Sequence, residues 1–111
     1  MNLRVFIVCL STLFIHTKAF ADYNSNIRGE LEGVYVYTDH DAIYFRFKTQ
    51  PTSHETCKAT YFVISGSVPQ DRRDQLLSRL MLALASKEQV NIGYDSQGNC
   101  ANGYIRVHRV G

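Results

Sequence analysis

Apolar residues recur at helical spacing in one long run of the chain and alternate with polar residues almost everywhere else after the first twenty positions. In residues 67–87, Leu76, Leu77, Leu80, Met81, Ala83 and Leu84 fall on one broad stripe, the mark of an amphipathic helix. Arg72, Arg73, Asp74 and Arg79 take the other side. Ser67 and Gln70 have the spacing of a capping box, and Pro69 suits a first turn. Lys87 stands where a cation complements the helix dipole. The pattern predicts a helix over residues 71–86.

The remaining pattern is β. In residues 42–48, Ile43, Phe45 and Phe47 face one way, and Tyr44, Arg46 and Lys48 the other. Residues 29–37 alternate Val34 and Val36 with Tyr35 and Tyr37. Residues 59–64 are apolar on both faces, as in a central strand. Val90, Ile92 and Tyr94 alternate in a fourth strand, and residues 103–110 form a fifth. Residues 22–28 are polar and read as a frayed tail. Residues 38–41, 49–58 and 95–102 read as turns and loops. The order is β-β-β-α-β-β, mainly β with one helix. That is the order of an OB-fold, a five-stranded Greek-key barrel whose open end the helix plugs. An open α+β roll has the same order, and order alone does not separate the two.

The first segment changes how composition is counted. Arg4 precedes an apolar run over residues 5–15, and Ala19-Phe20-Ala21 supplies a small-residue cleavage site. This predicts a signal peptide over residues 1–21 and a binding domain over 22–111. The apolar run is too short for a membrane span. The protein is therefore expected to be secreted or periplasmic. Of 12 basic residues Arg4 and Lys18 leave with the leader, so ten face the 10 acidic ones. A neutral domain gives no global reason to bind nucleic acid. Seven Tyr and no Trp suit recognition of a polar ligand, and Tyr also simply favours strands. Cys9 leaves too, and Cys57 and Cys100 are expected to pair in an oxidising compartment.

No motif carries catalytic chemistry. The chain has no nucleophile elbow, no H-E-x-x-H, no P-loop and no glycine-rich dinucleotide fingerprint. Asp39-His40-Asp41 reads as a solvated hairpin turn, and His54-Glu55 beside Cys57 as loop polarity rather than a metal site. No catalytic residue, metal ligand or cofactor is expected.

Two stretches carry a resemblance. Tyr23-Asn24-Ser25-Asn26 resembles the Y-x-S-[DN] segment near the mature start of the binding subunits of the subtilase cytotoxin and typhoid toxin group, relatives of pertussis-type binding subunits. Tyr44-Phe45-Arg46-Phe47-Lys48-Thr49 resembles their Y-F-x-x-K-T second strand, and Leu76-Leu77 and Val90-Asn91-Ile92 continue the match in order. The resemblance implies an OB-fold, a ring pentamer, an enzymatic partner subunit, and binding of sialylated or related glycans. It implies Tyr23, Ser25, Asn26 and Lys48 as glycan-binding residues. Arg46 stands where the family usually has a cysteine. The Gln50-Pro51 region and Asn91 stand where it has basic residues. The resemblance therefore leaves the sugar open. A periplasmic module that binds or inhibits a protein is the alternative, and a nucleic-acid binder a more distant one.

Overall fold

β1 (Ser25–Val36) serves two neighbours in turn. Its first half pairs antiparallel with β4 (Gln89–Tyr94), its second half with β2 (Ile43–Phe47). The register shifts between Leu31 and Gly33, the kind of irregularity that bends a long strand around a barrel. The computed structural model describes residues 23–111; the expected signal peptide, residues 1–21, lies outside them. Ser25, Asn26, Ile27 and Arg28, expected as part of a tail, are strand instead. Their backbone pairs with β4, and Ile27 packs against the core. Pairing and one partly buried apolar side chain outweigh the polar composition.

β2 runs antiparallel to β3 (Lys58–Ile64), and β3 runs parallel to β6 (Tyr104–Val110), which pairs antiparallel with β4. Among the described residues, five strands thus close in the order β1-β2-β3-β6-β4 and back to β1. The helix α1 (Gln70–Ser86) connects β3 to β4. This is a closed, OB-like barrel, and closure removes the open roll as an alternative. It also removes the free strand edges that an open sheet exposes.

A sixth strand, β5 (Cys100–Ala101), was not apparent in the polar composition of its loop. It pairs with β6 through the two-residue turn Asn102-Gly103, with φ of 52° and 84°. Both residues in the left-handed region is the requirement of a type I′ hairpin, which Asn-Gly satisfies at least steric cost. The Cys57–Cys100 disulfide, Cα atoms 5.6 Å apart, ties β5 to the residue just before β3.

The helix begins at Gln70, with Pro69 as its N-cap and no side-chain cap. The expected capping box does not form. Ser67 lies two residues before the cap, and its hydroxyl bonds that of Ser65 at 2.8 Å. The start is held instead by Arg73, whose guanidinium donates to the carbonyl oxygens of Val68 (2.7 Å) and Asp41 (3.0 Å). Lys87 closes the helix in the left-handed conformation. Leu80 and Ala83 are buried, and Leu76, Leu77 and Leu84 pack partly against the core. Met81, expected in the stripe, is 48% exposed beside Leu82 at 61%. The buried stripe is therefore narrower than the apolar pattern.

Phe45, Phe47 and Phe62 fill the barrel with no exposed surface, Phe47 and Phe62 edge-to-face at 5.2 Å. Burying each such ring contributes roughly 1.5–3 kcal/mol. The alternation read in residues 42–48 is the one observed.

Candidate functional site

Asn24 fixes the polar segment at the start of β1. Its backbone N–H donates to the Tyr94 carbonyl (3.2 Å) and its side-chain NH2 to Asp95 Oδ1 (3.3 Å). Its side-chain oxygen accepts from the Ser96 N–H (3.0 Å) and from the Ser25 hydroxyl (2.9 Å). A side chain with this many partners behaves as a rivet between β1 and the end of β4. Ser25 has therefore committed its proton and offers a ligand its lone pairs.

The four residues implied by the resemblance do not form one cluster. Ser25 lies opposite Tyr94 in the β1–β4 ladder, and Asn26 lies opposite Gly93. Successive residues face opposite sides of a strand, so Ser25 shares the face of Tyr94 while Asn26 shares the outer face of Gly93. Tyr23 also belongs to that outer face. Its ring covers Gly93, where an added Cβ would come within 2.9 Å of Cε2, and it stacks on His108 with centroids 6.0 Å apart. Lys48 pairs with Glu30 at 2.8 Å. Glu30 is five residues along β1 from Ser25, roughly 17 Å of strand at ~3.3 Å per residue.

On the Ser25 side the structure offers a cleft of about 320 Å³, lined among others by Ser53, His54, Glu55, Tyr94 and Ser96. Its walls are the loop before β3 and the end of β4. Thr56 and Cys57 donate their backbone N–H groups to His54 Nδ1 (3.2 and 2.9 Å). The ring proton therefore sits on Nε2, 2.7 Å from the Asp95 carbonyl oxygen to which it donates. His54 is thus a strut that holds the cleft open, not a free ligand. An aromatic ring among hydroxyls and one carboxylate can meet both the C–H face and the hydroxyl groups of a sugar. Sequence reading missed this loop; the signal was its density of small hydroxyl residues, Thr52, Ser53 and Thr56, around one histidine.

Gln50 also has structural work. It accepts from the Phe47 N–H and donates to the Ala59 carbonyl, both at 2.9 Å, and so bridges β2 to β3. Asp39-His40-Asp41 lies in the turn between β1 and β2, with His40 and Asp39 3.8 Å apart. Among the described residues, no group of three or more His, Cys, Asp or Glu is placed to hold a metal ion.

Five of the seven tyrosines, Tyr35, Tyr37, Tyr44, Tyr61 and Tyr104, gather on the outer side of β1, β2, β3 and β6. Tyr44 meets Tyr37, Tyr61 and Tyr104 edge-to-face at 5.4, 6.0 and 5.6 Å, and Tyr35 meets Tyr61 at 5.8 Å. Tyr44, Tyr61 and Tyr104 cover Ala42, Val63 and Ala101 in a second small core outside the barrel. The rings pack edge-to-face on one another, while Tyr35 and Tyr37 stay 38% and 51% exposed.

A second cleft, about 700 Å³, runs between α1 and β6. Arg72, Gln75 and Arg79 line it from the helix, Arg106 and His108 from the strand. Among the described residues, no carboxylate forms an ion pair with any of the three arginines. Arg106 donates to the Cys100 carbonyl at 3.1 Å, and its buried Nε finds no acceptor.

Fold and clefts together define a closed OB-type barrel, disulfide-linked, with, among the described residues, a polar cleft that carries one carboxylate and a cationic cleft. No helix among the described residues is long and apolar enough to cross a membrane. No known family, curated protein or solved structure matches the chain, so what the toxin-subunit resemblance implies rests on the residues that carry it.

Proposed function

We propose that this is an exported glycan-binding protein, akin to the receptor-binding subunits of toxins, whose sugar site is the cleft beside Ser25. The observation that supports this most is the placement of Ser25 opposite Tyr94, a residue that lines a cleft rich in hydroxyls. Tyr94 supplies an apolar ring, Ser25, Ser53 and Ser96 supply hydroxyl partners, and Glu55 accepts from sugar hydroxyls. A carboxylate in the wall disfavours an acidic sugar here, so the ligand at this site is a neutral sugar unit. Tyr23, on the opposite face, holds the strand that carries Ser25, and Asn26 is exposed on that face. Lys48 serves Glu30.

A shallow site of this size binds weakly by itself, and ring assembly multiplies it. Exposed Val36 (63%) and Leu82 (61%) are apolar surface suited to such an assembly. A pentameric ring and an enzymatic partner subunit complete the proposal. A glycan array with the exported protein and Ser25→Ala tests it: wild type binds neutral glycans and the variant does not. No neutral glycan bound, or equal binding of neutral glycans by both, contradicts the site. A monomer by light scattering at micromolar concentration contradicts the ring.

A further inference from the structure

The fold gives Arg72 and Arg79 of the second cleft no ion pair or hydrogen bond among the described residues, and Arg106 only the Cys100 carbonyl. Arg72 and Arg79 are seven residues apart, nearly two turns, so they lie on one helix face about 10.5 Å apart along the axis. Arg106 faces them from β6. In a domain with equal numbers of acidic and basic residues, three arginines without carboxylate partners concentrate positive potential in one place. Such a cleft attracts anions and holds them through planar guanidinium groups.

We infer that the cleft between α1 and β6 binds an acidic polysaccharide, with Arg72, Arg79 and Arg106 taking its sulfate or carboxylate groups. The spacing asks for a ligand that carries anionic groups repeatedly along an extended chain. A nucleic acid fits less well. The floor is aliphatic, with Leu76, Val107 and Val110, and no Tyr, Phe or Trp lines the cleft to stack a base. An acidic peptide fits less well too. β6 is already paired with β3, β4 and β5, so it has no free edge to which an extended peptide could add. The choice of a sugar over another polyanion rests on the glycan-binding reading above, and the cleft itself is separate from Ser25.

The test is equilibrium binding of the disulfide-intact protein, at one ionic strength, to five probes. These are a heparin-derived oligosaccharide (sulfate), polysialic acid (carboxylate), neutral dextran, poly-glutamate and a single-stranded DNA oligomer. At least one acidic sugar binds, dextran does not, and poly-glutamate and DNA bind more weakly. Arg72→Ala/Arg79→Ala weakens the acidic sugar at least about tenfold, the equivalent of about 1.4 kcal/mol. Alanine favours the helix, and an unchanged thermal midpoint confirms the fold; Arg72→Gln/Arg79→Gln repeats the result with side chains of similar polarity. Ser25→Ala leaves this binding intact, so the two clefts fail separately. Three results overturn the inference: neither acidic sugar binds, the arginine variants bind as well as wild type, or poly-glutamate or DNA binds as tightly as the better sugar.

Discussion

The ring of Tyr23 lies against Gly93, and a Cβ added there would sit 2.9 Å from its Cε2 atom. This contact holds the entry to β1 flat on β4, just before Ser25 and Tyr94 face each other. Gly93→Ala must push the ring away or spread the strands. The expected cost is about 1–3 kcal/mol, typical of an overpacked site. Urea denaturation measures it, and sugar binding weakens in parallel because Ser25 is displaced. A variant with unchanged stability would mean that the ring moves freely.

Leu80 and Leu82 are two residues apart on α1 with opposite environments, 0% and 61% exposed. Leu80→Ala should cost about 2–5 kcal/mol through the cavity it leaves under the helix. Leu82→Ala should stay within about 0.5 kcal/mol in the isolated subunit. Equal effects in chemical denaturation would contradict the helix orientation.

The barrel was legible where the chain alternates cleanly. Ile43, Phe45 and Phe47 marked their strand without help, because each inward position is a large apolar side chain. The start of β1 was not legible, because Ser25, Asn26 and Arg28 are polar and their reason to be strand is the partner β4, distant in sequence. β5 had a local signal, Asn102-Gly103, obscured by the polar loop around it. The narrow helix stripe was misjudged at Met81, since periodicity reports which residues are apolar and not how far the barrel end reaches. The two clefts were hidden for another reason. Each is built from segments far apart in sequence, such as the helix and β6, and no spacing within one segment encodes their meeting.

Cys57 and Cys100 close a ring with a sequence separation of 43. Cross-linking a loop of that length is worth roughly 4 kcal/mol in the chain-entropy model. Reduction should lower stability by about that amount and loosen β5 and its hairpin first, since the bond ties the hairpin to the start of β3 alongside the Lys58 N–H to Gly103 carbonyl contact (2.8 Å) and the pairing of Lys58 with Tyr104. Intact mass after alkylation, with and without reductant, checks the bond. Two free thiols in the native exported protein would contradict it.

His54 positions the cleft loop through two backbone N–H groups and the Asp95 carbonyl. His54→Ala removes these bonds from exposed and part-buried groups, at about 0.5–1.5 kcal/mol, the net worth of a bond that water can partly replace. The sharper readout is amide hydrogen exchange at Thr56 and Cys57, which should accelerate in the variant. Unchanged exchange there would mean that the loop is held by the disulfide alone.

The most direct measurement of the central claim is an amide-resolved NMR titration of the protein with the strongest neutral glycan from the array. Shifts centred on Ser25, Ser53, Glu55, Tyr94 and Ser96, saturating together and absent in Ser25→Ala, are the predicted result. Shifts centred on the outer tyrosine layer, or on no contiguous set of residues, would contradict it.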